Sequence, residues 1–166
     1  MPRLLGIDYG QARVGLAVTD PDGRVVFPLR TVAWETRDGL FRDLLSVLEQ
    51  YAVEGIVLGY PVRQGGDESL TGRQIRRFAE RLGRRTSVPI RFVNEALSTE
   101  EAAERLREAG LFGKELTARV DAQAAAVILE RALRENDPCR RRPDGGCGEK
   151  RCLPEWRCPR PSRRRW

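Results

Sequence analysis

Apolar residues change their period along the chain, and each change marks an element. Leu4, Leu5 and Ile7 form a short apolar run, and residues 13–19 and 24–30 are further β-rich runs. The last two are joined by "DPDG", in which Pro21 and Gly23 suit a tight turn, so the N-terminal part predicts an antiparallel three-strand meander. The period then switches to that of a helix. Leu40, Leu44, Leu45, Leu48 and Tyr51 recur at helical spacing, and the apolar strand "EGIVLGY" follows. Ile75, Phe78, Ala79 and Leu82 stripe a second helix over Leu70–Arg85, and "VPIRFV" (88–93) reads as another strand. In "LSTEEAAERLREAG", Ser98 with Glu101 three residues on predicts a capping box, and Gly110 is placed to end that helix. "TARVDAQAAAVILERAL" predicts a last helix from near Thr117. The order is βββαβαβαα: an α/β fold whose mixed sheet adds parallel strands to the meander and is flanked by helices.

Three acids interrupt this pattern where a polar group is expensive. Asp8 ends the first apolar run, and a buried carboxylate needs a cation, a donor network or a metal. The alternative is that Asp8 caps its own turn ahead of Gly10. Asp121 shares a helix face with Ala124, Ala125 and Ile128, a small apolar face suited to lying on a sheet. Its alternative is an exposed acid in the first helical turns, favoured by the helix dipole. Glu95 follows the strand at 88–93, at a strand's C-terminal end, where α/β folds build their sites. Together the three form an oxygen-only donor set suited to Mg²⁺ or Mn²⁺, and their carboxylates are expected to converge on a metal-sized space.

Composition sharpens that choice. The 166 residues include no histidine, which removes the usual general base and the Ser-His-Asp and Cys-His nucleophile systems. No apolar run approaches the length that spans a bilayer, and no long apolar leader opens the chain, so a cytoplasmic protein without a membrane partner is expected. The net charge of +6 is confined to one end. Residues 1–136 hold 20 basic and 20 acidic side chains, and residues 137–166 hold 10 and 4. This Arg-, Pro- and Gly-rich tail has no apolar periodicity and is expected to be disordered, giving a boundary near Asn136. It contains Cys139, Cys147, Cys152 and Cys158, whose gaps of seven, four and five residues include no C-x-x-C pair, so the zinc reading is weak. A basic arm with Trp156 and Trp166 that contacts nucleic acid, or a solvated tail without a partner, fits better.

The segments "GIDYGQARVGLAVTD", "IVLGYP", "NEALSTEEA" and "VDAQAAAVILE", in this order and spacing, resemble the YqgF/RuvX family of RNase H-like nucleases over about residues 3–135. The resemblance implies an RNase H-like fold for residues 1–136 and metal-dependent phosphodiester cleavage by Asp8, Glu95 and Asp121. These acids would be both catalytic and metal ligands, with a two-metal site of Mg²⁺ or Mn²⁺ and products carrying a 5′-phosphate. It further implies processing of the 5′ end of pre-16S rRNA on a ribosome precursor, or resolution of branched DNA. Gly10, Arg13, Ser98, Thr99, Arg73 and Arg77 are the candidates for contacting nucleic acid, and Gly6, Gly10 and Gly15 around Asp8 would let a phosphate backbone approach.

One motif departs from the family. Where it usually reads Asp-Glu-Arg before Leu-Ser-Thr, this chain has Asn94, Glu95 and Ala96, losing an acid and a cation. Arg13 or an Arg of residues 73–85 is a candidate substitute. Arg73, Arg77, Arg81 and Arg84 form a stripe opposite the apolar face of their helix, which also reads as an ordinary solvated face. Two other classes stay open: an actin-like or sugar-kinase phosphate loop at "DYG", for which the chain is short, and a non-catalytic RNA- or ribosome-binding module.

Overall fold

The computed structural model describes residues 2–61 and 69–136, so the tail and its cysteines lie outside the described residues. β1 (Leu4–Tyr9), β2 (Arg13–Thr19) and β3 (Val26–Ala33) make the predicted meander. Then come α1 (Arg37–Gln50), β4 (Gly55–Tyr60), α2 (Leu70–Gly83), β5 (Ile90–Asn94), α3 (Ser98–Glu108) and α4 (Gly113–Asn136). The strands lie in the order β3-β2-β1-β4-β5, with β1/β2 and β2/β3 antiparallel and β1/β4 and β4/β5 parallel. β1 is therefore the central strand, where the meander meets the parallel half.

Several boundaries move for local reasons. β3 starts at Val26 because the turn reaches further than "DPDG": the Asp20 carboxylate accepts from the backbone N–H of Arg24 and Val25, and Gly23 takes φ +66°. Thr36 and Ser69 cap α1 and α2 by accepting from the N–H three residues on, at Gly39 and Gly72. The capping box predicted at Ser98 does not form. Leu97, in the left-handed region at φ 60°, is the residue before α3, so Ser98 is already inside the helix and buried, with no capping bond. Glu101 is drawn instead to Arg105 and Arg131. Gly110 ends α3 as expected, at φ +83°, while α4 begins at Gly113, one turn before the predicted Thr117.

The sheet separates two cores of different character. Leu5, Ile7, Val14, Leu16, Ile56 and Leu58 pack with Leu44, Ile75, Phe78 and Leu82 of α1 and α2. The intervening strand residues Ala17, Val57 and Val93 meet Ala125, Ile128, Leu129 and Ala132 of α4 on the other face. The alanine-rich face of α4 comes unusually close there. A Cβ on Gly15 would stand 1.9 Å from the Asp121 carbonyl oxygen, and one on Gly6 would stand 2.8 Å from that of Ala125. These two glycines therefore admit the α4 backbone, which corrects the expectation that the space they leave is for a phosphate backbone. α3 is joined to α4 by Arg105 bridging Glu101 and Glu130 at 2.8 and 2.9 Å. Among the described residues, no helix is long and apolar enough to cross a membrane.

Candidate active site

The pleat of β1 decides what its last residues can do. Leu5, Ile7 and Tyr9 point toward α1 and α2, so Asp8 points toward α4, onto the face where Gly15 opposes it in β2. Gly15 is also where α4 presses closest, with Asp121 at the contact, so the register of β1 and β2 brings the second acid to the first. Glu95 arrives from the parallel side. Its backbone N–H donates to the Tyr60 carbonyl, extending the β4/β5 pairing, and its carboxylate leans over Gly59, where a Cβ would stand 3.0 Å from Oε2.

The electrostatics follow from this placement. Burial, then the neighbouring charges of Glu95 and Asp121, push the Asp8 carboxyl up to about 7. Burial also raises Glu95. Asp121 lies 3.1 Å from the guanidinium Nε of Arg13, but the angle misses a hydrogen bond, and its buried Oδ2 has no hydrogen-bond partner. The three acids thus face one another across the α4 side of β1.

Their separation is wider than the sequence reading expected. Among the described residues, no three His, Cys, Asp or Glu side chains stand close enough to hold a metal ion as placed. Like charges resist closer approach, and Arg13 holds Asp121 from the side. The donor set nonetheless suits a hard divalent cation: it is all carboxylate, it includes a buried oxygen with no hydrogen-bond partner, and a cation would offset the burial and repulsion that raise Asp8.

The remaining candidates are dispersed. Gly10 closes the β1–β2 turn by donating its N–H to the Arg13 carbonyl at 2.9 Å, and Arg13 beside it keeps a side chain 45% exposed. Ser98 is buried and Thr99 exposed. Arg73 lies away from the acids on the exposed side of α2, and Arg77 lines a cavity on the opposite sheet face from Asp8. There Tyr9 sits near Arg37 and Arg81, whose charges partly offset the upward push that burial gives its hydroxyl.

The chain from Pro2 to Glu135 matches the sequence profile of the family described as "RuvX: Holliday junction resolvase". It belongs to the RuvX family. This RuvX chain is 53% identical over 131 residues to the "Putative pre-16S rRNA nuclease" of Nitratidesulfovibrio vulgaris (strain DP4), a match covering 79% of this chain and 92% of that one. It is 52% identical to the protein of the same name from Oleidesulfovibrio alaskensis, with 79% and 91% covered. In fold it is similar to Thermus thermophilus RuvC solved in complex with a Holliday junction substrate, with a TM-score of 0.50 at 16% identity over 81% of this chain and 95% of that one.

In this RuvX chain, the Asn94–Ala96 loop that carries Glu95 is braced from elsewhere. Asn94 accepts from the Ala96 N–H at 2.9 Å, an Asx turn, and Arg131 of α4 donates to the carbonyls of Asn94 and Ala96 at 3.2 and 2.6 Å. Arg131 also meets Glu101 at 3.1 Å, tying the Glu95 loop to both α3 and α4. Sequence reasoning sought the substitute cation in Arg13 or in α2. Arg131 carried no local signal beyond lying ten residues after Asp121, and it is the RuvX fold that turns it to the loop.

Proposed function

We propose that this RuvX-family chain is a metal-dependent nuclease that hydrolyses phosphodiester bonds of structured RNA in the 5′-end processing of pre-16S rRNA. The observation that carries the reading is the mutual facing of Asp8, Glu95 and Asp121 from a central strand, a strand end and a helix, with the Asp8 carboxyl pushed up to about 7 by burial first and by the other two acids second. The names borne by relatives at 53% and 52% identity supply the substrate, and the family description makes branched DNA the comparison substrate. Residues 1–136 are the catalytic domain and 137–166 a basic extension, a division supported by α4 continuing to Asn136. Such a role places the protein in the cytoplasm, on a ribosome precursor.

Asp8, Glu95 and Asp121 would hold Mg²⁺ or Mn²⁺. Bound cations of this kind lower the pKa of a ligated water and stabilise the leaving oxygen of an in-line displacement. The protein's part is positional. Asp8 is fixed by the β1 ladder, Asp121 by the contact of α4 with Gly15, and Glu95 by its loop under Arg131. Arg13, beside Asp121 and nearly half exposed, is placed to take a scissile or flanking phosphate. The test incubates the purified protein with Mn²⁺ or Mg²⁺ and either a pre-16S rRNA 5′ leader or a four-way DNA junction, with Asp8→Asn alongside. Cleavage of the leader leaving 5′-phosphates, lost in Asp8→Asn, is expected. Equal activity in both proteins would overturn the reading, and cleavage of the junction alone would reassign the substrate.

A further inference from the structure

The end of β1 serves two faces of the sheet, and only one of them carries the acids. On the other, toward α1 and α2, a cavity of about 350 Å³ opens beside Tyr9. Its charge is one-sided. Among the described residues, Arg37, Arg77 and Arg81 line it, no Asp or Glu does, and none of the three guanidiniums is ion-paired. Arg37 is the first residue of α1, and its site also receives the positive end of that helix. Three unpaired cations in a concavity repel one another, so an anion entering it is favoured, and the fork of an Arg matches phosphate in particular.

The rest of the wall is aromatic and amide. Tyr9 and Trp34 are half-buried with ring centroids 5.9 Å apart, and the Trp34 indole N–H donates to the Gly10 carbonyl at 3.3 Å, so its plane is fixed before any ligand arrives. Tyr9 is backed by Phe78 at 4.6 Å. Gln11 and Gln74 supply donors and acceptors at the rim. A bare phosphate would use the arginines and leave the aromatic wall idle, and an apolar ligand would leave the arginines unpaired. A flat base carrying a phosphate uses both, since base–aromatic stacking and guanidinium–phosphate pairing are the two terms by which unpaired strands are held. The volume is that of a small-ligand site.

We infer that this cavity binds one unpaired nucleotide of the same nucleic acid whose scissile phosphate lies at the acids, with Arg37, Arg77 and Arg81 on its phosphate and Tyr9 and Trp34 against its base. Adjacent residues of β1 carry the two sites on opposite faces of the sheet, Asp8 on one and Tyr9 on the other, so a bound strand would pass over the end of β1 between them. Naming the ligand as part of the nucleic-acid substrate rests on the nuclease reading, whereas the chemistry of the cavity does not.

The experiment titrates the full chain, in chelator, with adenosine 5′-monophosphate, adenosine and inorganic phosphate by calorimetry. The monophosphate is expected to bind at least tenfold more tightly than either fragment. The double variant Arg77→Gln/Arg81→Gln is expected to weaken it at least tenfold with an unchanged melting temperature, and Arg37→Gln alone to act in the same direction. Binding should persist in Asp8→Asn, so it fails or holds independently of cleavage. Inorganic phosphate binding as tightly as the monophosphate would overturn the nucleotide assignment. So would monophosphate binding that the arginine variants leave unaltered, the sign of attachment elsewhere on the chain.

Discussion

Replacing Asp8 by Asn in the metal-free protein should stabilise it, and by an amount that grows with pH. An unfolded chain ionises Asp8 near 3.8, whereas in the fold burial and the charges of Glu95 and Asp121 hold it protonated up to about 7. The folded state therefore binds the extra proton between those values, so stability falls as pH rises through that window and levels off above about 7. With about 1.4 kcal/mol per pH unit, an ionisable Asp8 costs the fold about 1 to 2 kcal/mol at pH 5 and about 4 kcal/mol at pH 8, as upper values. Asn has no such titration, and the groups that do not interact with Asp8 cancel between the two proteins. The gap in stability should thus widen by about 2 to 3 kcal/mol from pH 5 to pH 8, on the order of 8 °C in melting temperature for a domain of this size. Thermal melts of both proteins in chelator across that range measure it. Saturating Mn²⁺ should then reverse the order at pH 8, because only the wild type gains binding energy from the cation. A gap independent of pH, or an Asn variant less stable throughout, would refute the account of Asp8 as a carboxylate whose charge is opposed by burial and by its acidic neighbours.

Glu95→Gln and Asp121→Asn, like Asp8→Asn, should lose metal-dependent cleavage by at least a hundredfold while melting in chelator no lower than wild type, as read by single-turnover cleavage beside calorimetry. Gly15→Ala should destabilise by about 2 kcal/mol or more, because its Cβ would meet the Asp121 carbonyl and force α4 outward; denaturant titration gives the value, and cleavage should fall with it. Arg131→Met should cost about 1–2 kcal/mol through two lost carbonyl contacts and the Glu101 pair. It should also reduce kcat, whereas a change in stability alone would show Arg131 to be merely structural. Arg13→Gln should tighten Mn²⁺ binding, measured calorimetrically without RNA, because the cation that holds Asp121 from the side is gone.

Local pattern was enough for the elements and for the suspicion attached to three acids. The switch of apolar period from two to 3.6 belongs to each segment alone, so βββαβαβαα was legible, and so was the oddity of Asp8 closing a buried run and Asp121 riding an alanine face. Four ordered motifs carried the family for the same reason, since each is a contiguous string of side chains. The start of α3 was not legible, because Leu97 adopts a positive φ that its own side chain disfavours, a conformation its surroundings impose. Nor was the use of Gly6 and Gly15: a missing Cβ admits either a ligand or another backbone, and only the packing of α4 across β1 and β2 chose the backbone. Arg131 and the arginine-lined cavity beside Tyr9 lie deeper still. Each joins residues from elements far apart in the chain, and which cation meets which carbonyl depends on distances in space that spacing along a sequence does not encode.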